Sequence, residues 1–185
     1  MEIWTFVGAR TEWKKVEFTL QNANFFQAEG GWFLDFTQAS FEMKANKSFK
    51  LGFAYKQEYV KLMDIRRVEY RPMLHLYYSK KFGSFELRDR NRLEFRFFET
   101  GMVKRYRNQI MLSYKKFEKI IPYAYTEFFV YLDQFEYLRQ RTALGFNVPI
   151  KSINLNVFGA HQSDKISSEY WYKKFMLGTS LIYRF

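Results

Sequence analysis

The stretch Phe85-Glu86-Leu87-Arg88-Asp89-Arg90-Asn91-Arg92-Leu93-Glu94-Phe95-Arg96-Phe97-Phe98 places Phe85, Leu87, Leu93, Phe95 and Phe97 on one parity. Glu86, Arg88, Arg90, Arg92, Glu94 and Arg96 fall on the other. A period of two sustained this long marks a β-strand with one apolar and one charged face, because successive side chains of a strand point to opposite sides. On an α-helix the same charges would spread around the whole cylinder. Glu99-Thr100-Gly101 then reads as a tight turn. Beyond it, Val103 to Lys115 opposes Tyr106, Ile110, Leu112 and Tyr114 to Arg105, Arg107, Gln109 and Ser113.

The same division recurs along the chain. Phe49, Leu51, Phe53 and Tyr55 oppose Lys50, Gly52, Ala54 and Lys56, while Leu138, Thr142, Leu144 and Phe146 oppose Arg139, Arg141, Ala143 and Gly145. Turns are expected near Thr11 to Trp13, Gln27 to Gly31, Ala45 to Lys47, Val60 to Arg66, Lys81 to Gly83, Glu99 to Gly101, Lys116 to Lys119, Asp133 to Phe135, Val148 to Lys151 and Gln162 to Glu169. No linker or shift of composition interrupts them, so residues 1–185 read as one domain. These turns delimit eleven strands. Bacterial single-chain outer-membrane barrels use an even number. The expectation is therefore ten or twelve strands, with Glu2 to Arg10 as the weakest candidate.

Composition narrows the class. With 22% aromatic residues and only 3 Pro in 185, the chain is rich in β-formers and unlike a disordered segment. The absence of Cys removes disulfide frameworks, thiolate nucleophiles and Cys-ligated metals. A cysteine-free chain also suits an oxidising envelope. No run of about 18 apolar residues occurs, which excludes an ordinary membrane helix. A membrane-spanning barrel needs only about 10 alternating residues per strand, so its mean hydropathy stays low, as the value of -0.41 does here. Met1-Glu2-Ile3-Trp4 starts directly in strand-like sequence, without a basic stretch or a small-residue cleavage site, and reads as a mature form.

Two features favour a membrane barrel over a soluble β-sandwich. The inferred strands run to twelve residues and more, whereas strands of soluble sheets have a mode of about 5 to 6. At the C-terminus Phe175, Leu177, Thr179, Leu181, Tyr183 and Phe185 share one parity and the chain stops on an aromatic ring. This resembles the terminal-strand signal of outer-membrane proteins read by the barrel-insertion machinery, with Phe175, Leu181, Tyr183 and Phe185 as its residues. Trp4 and Trp171, near strand ends, are expected at the headgroup interfaces that amphipathic rings favour.

The succession Arg92-Leu93-Glu94-Phe95-Arg96, Arg105-Tyr106-Arg107-Asn108, Tyr125-Thr126-Glu127-Phe128-Phe129, Arg139-Gln140-Arg141 with Gly145, and Tyr183-Arg184-Phe185 is similar to an uncharacterised family of small Gram-negative outer-membrane β-barrels, a domain of unknown function. The resemblance covers roughly the C-terminal half. It implies a closed, all-β, antiparallel up-and-down transmembrane barrel in the outer membrane and brings no catalytic residues.

The net charge of +11 would make nucleic acid the first partner to consider in a soluble protein. Nearly every strand repeats the charged-against-aromatic division, however. A lipid-embedded barrel accommodates this better than a basic sheet on phosphates, and nucleic acid is not expected. Polar parity placed inward gives a lumenal charge network of Glu69, Arg71, Glu86, Arg88, Arg90, Arg92, Glu94, Arg96, Arg105, Arg107, Glu127, Arg139 and Arg141, extended by Lys50, Lys56 and Glu17. Guanidinium forks bond carboxylates bidentately, so such a set braces a barrel from within. Glu127 is expected between Arg105 and Arg107 on one neighbouring strand and Arg139 and Arg141 on the other.

The first functional expectation is a structural or accessory subunit of an outer-membrane assembly, in contact with the bilayer and with other outer-membrane subunits. The alternative is a narrow anion-leaning pore. A lipid-acting enzyme stands third: His75 is lumenal, but Ser79, Ser113 and Ser180 cannot be placed beside it, so no catalysis is expected. No spaced metal motif or glycine-rich phosphate loop is present, and neither cofactor nor metal is expected.

Overall fold

The computed structural model describes residues 1–28, 30–62, 65–117, 119–133, 136–166 and 170–185, without the side chains of Leu62, Ile65 and Arg66. Parts of the expected turns Gln27 to Gly31, Val60 to Arg66, Lys116 to Lys119, Asp133 to Phe135 and Gln162 to Glu169 lie outside the described residues.

Eleven strands account for most of the described residues: β1 Glu2–Trp13, β2 Val16–Gln27, β3 Gly31–Lys44, β4 Phe49–Leu62, β5 Ile65–Phe82, β6 Phe85–Phe98, β7 Gly101–Tyr114, β8 Ile121–Tyr131, β9 Glu136–Ile150, β10 Ile153–Lys165 and β11 Trp171–Arg184. Each pairs antiparallel with the next, and β1 and β11 close the barrel. Their closing register runs from Glu2 opposite Met176 to Arg10 opposite Arg184, and the two strands are parallel.

This corrects the expected ten or twelve strands and the wholly antiparallel wall. The turns of the sequence already delimited eleven strands, and Glu2 to Arg10, the weak candidate, belongs to β1. An odd number of up-and-down strands leaves the first and last pointing the same way, so the closing pair must be parallel.

Local chemistry explains the turns. Two-residue connections need positive φ, supplied by Lys14 (56°), Lys151 (49°) and Gly83 (57°). Gly101, at φ 132°, opens β7 in a conformation closed to most side chains. Pro72 sits inside β5, and the β5–β6 ladder passes from Tyr70 opposite Phe97 to Met73 opposite Glu94 without a pair at 71 or 72. Proline has no N–H to give a neighbouring strand.

The wall separates two environments. Outside, Phe18, Leu20, Phe41, Leu51, Phe53, Leu74, Leu112, Leu144, Phe146 and Leu177 are exposed. A monomeric soluble protein does not leave so much apolar surface uncovered. Inside, the least exposed side chains include Glu94, Glu127, Glu69, Arg71, Lys56 and Gln162. Charged side chains buried inside, beside a smaller apolar cluster, and an apolar outer face are the inverse of a soluble β-protein.

Candidate functional site: a lumen with a guanidinium wall and an aromatic wall

The charged wall is built from the inward parity of β4 to β9. Glu94 on β6 is wholly buried and accepts from Arg92 Nη1 at 3.4 Å, Arg105 Nε at 2.7 Å and Arg107 Nη1 at 2.8 Å. Glu127 on β8 accepts from Arg90 Nη2 at 2.9 Å, Arg107 Nη2 at 2.8 Å and Arg141 Nη1 at 3.5 Å. Arg107 thus bridges the two carboxylates. Glu69 takes a two-pronged grip from Arg96, Nε and Nη2 each at 2.8 Å, and a further bond from Arg71 Nε at 2.5 Å. Glu58 pairs with Lys56 and with Arg71 Nη2 at 3.3 Å.

Four carboxylates therefore serve eight cations in this lattice. Among the described residues, Arg92 Nε and Arg107 Nε are buried donors without a hydrogen-bond partner. Each acid is shared because bringing several guanidiniums together is tolerable only around a common anion.

Most of the expected network lies in or beside this lattice. Glu69, Arg71, Arg90, Arg92, Glu94, Arg96, Arg105, Arg107, Glu127 and Arg141 belong to it. Glu127 meets Arg107 and Arg141 as expected, but its third partner is Arg90; Arg105 turns to Glu94, and Arg139 pairs with Asp164 on β10. Glu86 and Arg88 stand apart at the end of β6, where Glu86 meets Lys115 at 3.0 Å and Arg88 is half exposed. Glu58 and Asp164 escaped the sequence reading, although both share the inward parity of Lys56 and Gln162. Glu17 and Lys50 form a separate group with Arg10 and Glu42, and Tyr77 Oη donates to Glu42 at 2.6 Å. His75 shares its Nδ1 with that Tyr77 hydroxyl at 2.9 Å.

The opposite wall is aromatic. Trp4, expected at an outer interface, points inward instead: it is 8% exposed, its ring centroid lies 4.7 Å from that of Phe25, and its Nε1 donates to Glu2 at 2.9 Å. The even positions of β1 face the lumen, so Trp4 travels with Glu2 and Phe6. Phe6 and Phe158 each lie 6.4 Å from the Trp4 ring, and Phe36 is 5.8 Å from Phe25. Arg141 joins the two walls with its guanidinium 4.6 Å from the Trp4 ring. Lys56 does the same over Phe36 at 4.3 Å. Such cation–π contacts hold a charge against an apolar surface.

Between the walls lies a cavity of about 520 Å³, running from mid-barrel toward the end where β1 begins. Ten cationic and three acidic residues line it, together with the rings of the aromatic wall. A second cavity of about 390 Å³ follows toward the same end and shares Arg96, Arg105, Phe129 and Arg139 with the first.

Trp171 faces outward and packs 5.5 Å from Tyr137. Phe175, Leu181 and Tyr183 are exposed on the outer face of β11, and Phe185 lies just beyond it, its ring 4.8 Å from Tyr183 and its backbone N–H bonded to Arg10 O. No group of three metal-ligating side chains is assembled among the described residues.

This closed, lumen-bearing wall is a porin-like β-barrel fold. The chain belongs to the family described as "Protein of unknown function (DUF2490)", whose profile matches residues 3–173 and so extends well into the N-terminal half. Among solved structures it is similar to the NanC porin, at 9% identity and a TM-score of 0.58, with 94% of this chain and 89% of that chain covered. It is also similar to OccK5 (OpdH) of Pseudomonas aeruginosa, at 11% identity and a TM-score of 0.46, with 89% of this chain and 55% of that one covered. The match to an anion-selective porin from Comamonas acidovorans has 11% identity and a TM-score of 0.44, covering 90% and 55%. The chain spans about half the length of these last two. No curated protein matches it.

Proposed function

We propose that the protein is a transmembrane barrel of the Gram-negative outer membrane whose narrow lumen admits small anions. The observation that carries this is the pair of adjoining cavities, walled by ten cationic and only three acidic residues in the larger one and sharing Arg96, Arg105, Phe129 and Arg139. A lattice that served only to brace the wall would balance its charges and fill its volume. Excess guanidinium instead lowers the energy of an anion inside the lumen and raises that of a cation. The exposed apolar outer face supports placement in a bilayer, and the outward Phe175, Leu181 and Tyr183 with Phe185 support delivery by the barrel-insertion machinery. No catalytic step forms part of the proposal, since the lumenal His75 is engaged with Tyr77 and, through it, Glu42.

Purified protein in liposomes tests the proposal through solute flux. Small anions should enter faster than cations or neutral solutes of equal size. Equal rates refute charge selection, and no flux at all refutes a channel.

An accessory role in a larger assembly is the second reading, and one feature of the outer face favours it. Asn108 Nδ2 bonds Asp89 at 2.6 Å and Asn91 at 3.1 Å, and the Tyr106 hydroxyl also reaches Asn91. These polar groups sit on the outward parity of β6 and β7, where hydrocarbon is a costly neighbour. A protein partner in the membrane would relieve that cost.

A further inference from the structure

The two walls of the larger lumenal cavity ask for different things of a solute. One presents guanidiniums, among them Arg90, Arg107 and Arg141 around Glu127. The other presents the Trp4, Phe6 and Phe158 rings, packed edge to face at 6.4 Å. The faces meet where Arg141 lies on Trp4. A fully hydrated inorganic anion gains from the first face and nothing from the second, while a neutral apolar molecule gains only from the second.

We propose that this cavity is a binding site for a small aromatic carboxylate, its carboxylate on the Arg90 and Arg141 side and its ring against Trp4, Phe6 and Phe158. The cavity volume of about 520 Å³ falls within the ordinary range of small-ligand sites. Rings prefer edge-to-face neighbours at this spacing, so an aromatic body adds to the existing cluster in a way an alkyl chain does not. Arg141 already gives Nε and Nη2 to Gln162 and Nη1 to Glu127, whereas Arg90 gives Nη2 alone among the described residues, so Arg90 supplies the planar donor for the carboxylate and Arg141 adds its charge. The site names the solute class for the anion-admitting lumen and rests on that function for its biological sense, but its occupancy is measurable without transport.

The test is titration of the folded barrel in detergent micelles with benzoate, acetate, benzamide and octanoate, followed by calorimetry. Benzoate should bind at least about tenfold more tightly than acetate and than benzamide, since one ring contact and one charge-assisted contact are each worth about that factor. Phe6→Leu should weaken benzoate several-fold and leave acetate unchanged. Arg90→Gln should weaken both anions and leave benzamide unchanged. Both variants must keep the parent's unfolding midpoint within a few degrees; should either fail to fold, Phe6→Met and Arg90→Lys take their places.

Equal affinity for acetate and benzoate, or for benzamide and benzoate, overturns the two-walled site. Octanoate binding as tightly as benzoate overturns the aromatic assignment, because it would mark the site as one for lipid-derived acids. Absence of binding by all four overturns the site while leaving anion flux through the barrel untouched. Benzoate binding without any flux keeps the site and removes the channel.

Discussion

Replacing Glu127 tests whether the lumenal lattice is dry. Its side chain is 1% exposed and accepts from Arg90, Arg107 and Arg141. Glu127→Ala leaves these three guanidiniums without a shared anion. Arg107 keeps Glu94 at 2.8 Å and Arg141 keeps Gln162 at 2.6 Å, while Arg90 keeps no other bonded carboxylate among the described residues. Removing one partner of a buried pair costs about 3 to 5 kcal/mol. Glu127→Gln retains an acceptor oxygen but no charge and should recover about 1 to 2 kcal/mol of this, the scale of a hydrogen bond to a charged group. The control is Glu136→Ala, whose partner Lys165 lies 2.9 Å away with both side chains partly exposed. Its loss should stay at about 0 to 1 kcal/mol. Urea unfolding in detergent micelles, followed by far-UV circular dichroism, gives midpoints and slopes for all three. A Glu127→Ala loss no larger than that of Glu136→Ala would mean a hydrated lattice and would refute the packing described above.

Three further outcomes follow from the geometry. An ideal Cβ at Gly178 would lie 2.1 Å from Phe158 Cζ, so Gly178→Ala should destabilise by about 1 to 3 kcal/mol and Phe158→Leu should relieve it; additive losses in the double variant would show that the ring does not occupy that space. The closed wall pairs every strand, so boiled and unboiled samples should migrate differently on a detergent gel; identical migration with solubility in detergent-free buffer would exclude a membrane barrel. Deleting Phe185, which stands beyond β11 with its ring on Tyr183, should reduce insertion in cells and spare refolding in vitro, and equal loss in both would remove its targeting role.

Parity was the legible part of this chain. Because side chains alternate across a strand, the inward set from Arg71 to Arg141 followed directly from spacing, and the turns delimited the correct number of strands. Strand number was misjudged only where a general even-number rule overrode the turns. Partner choice depends on register, which parity alone does not give: Arg105 lies directly opposite Glu94 across β6 and β7, and Arg90 reaches Glu127 over Gln109 of the intervening β7. The aromatic wall was missed because rings were assigned to the outside. Phe6 and Phe158 share parity with Glu2 and Asn156, and that polar company was the available signal.

The reversal potential of the barrel in a planar bilayer under a potassium chloride gradient tests the cation-lined lumen most directly. With more cations than carboxylates lining the larger cavity, among them Arg96, Arg105 and Arg139 shared with the second, chloride should dominate the current and set the sign of the potential. A potential of the opposite sign, with potassium carrying the current, would contradict the anion-admitting lumen.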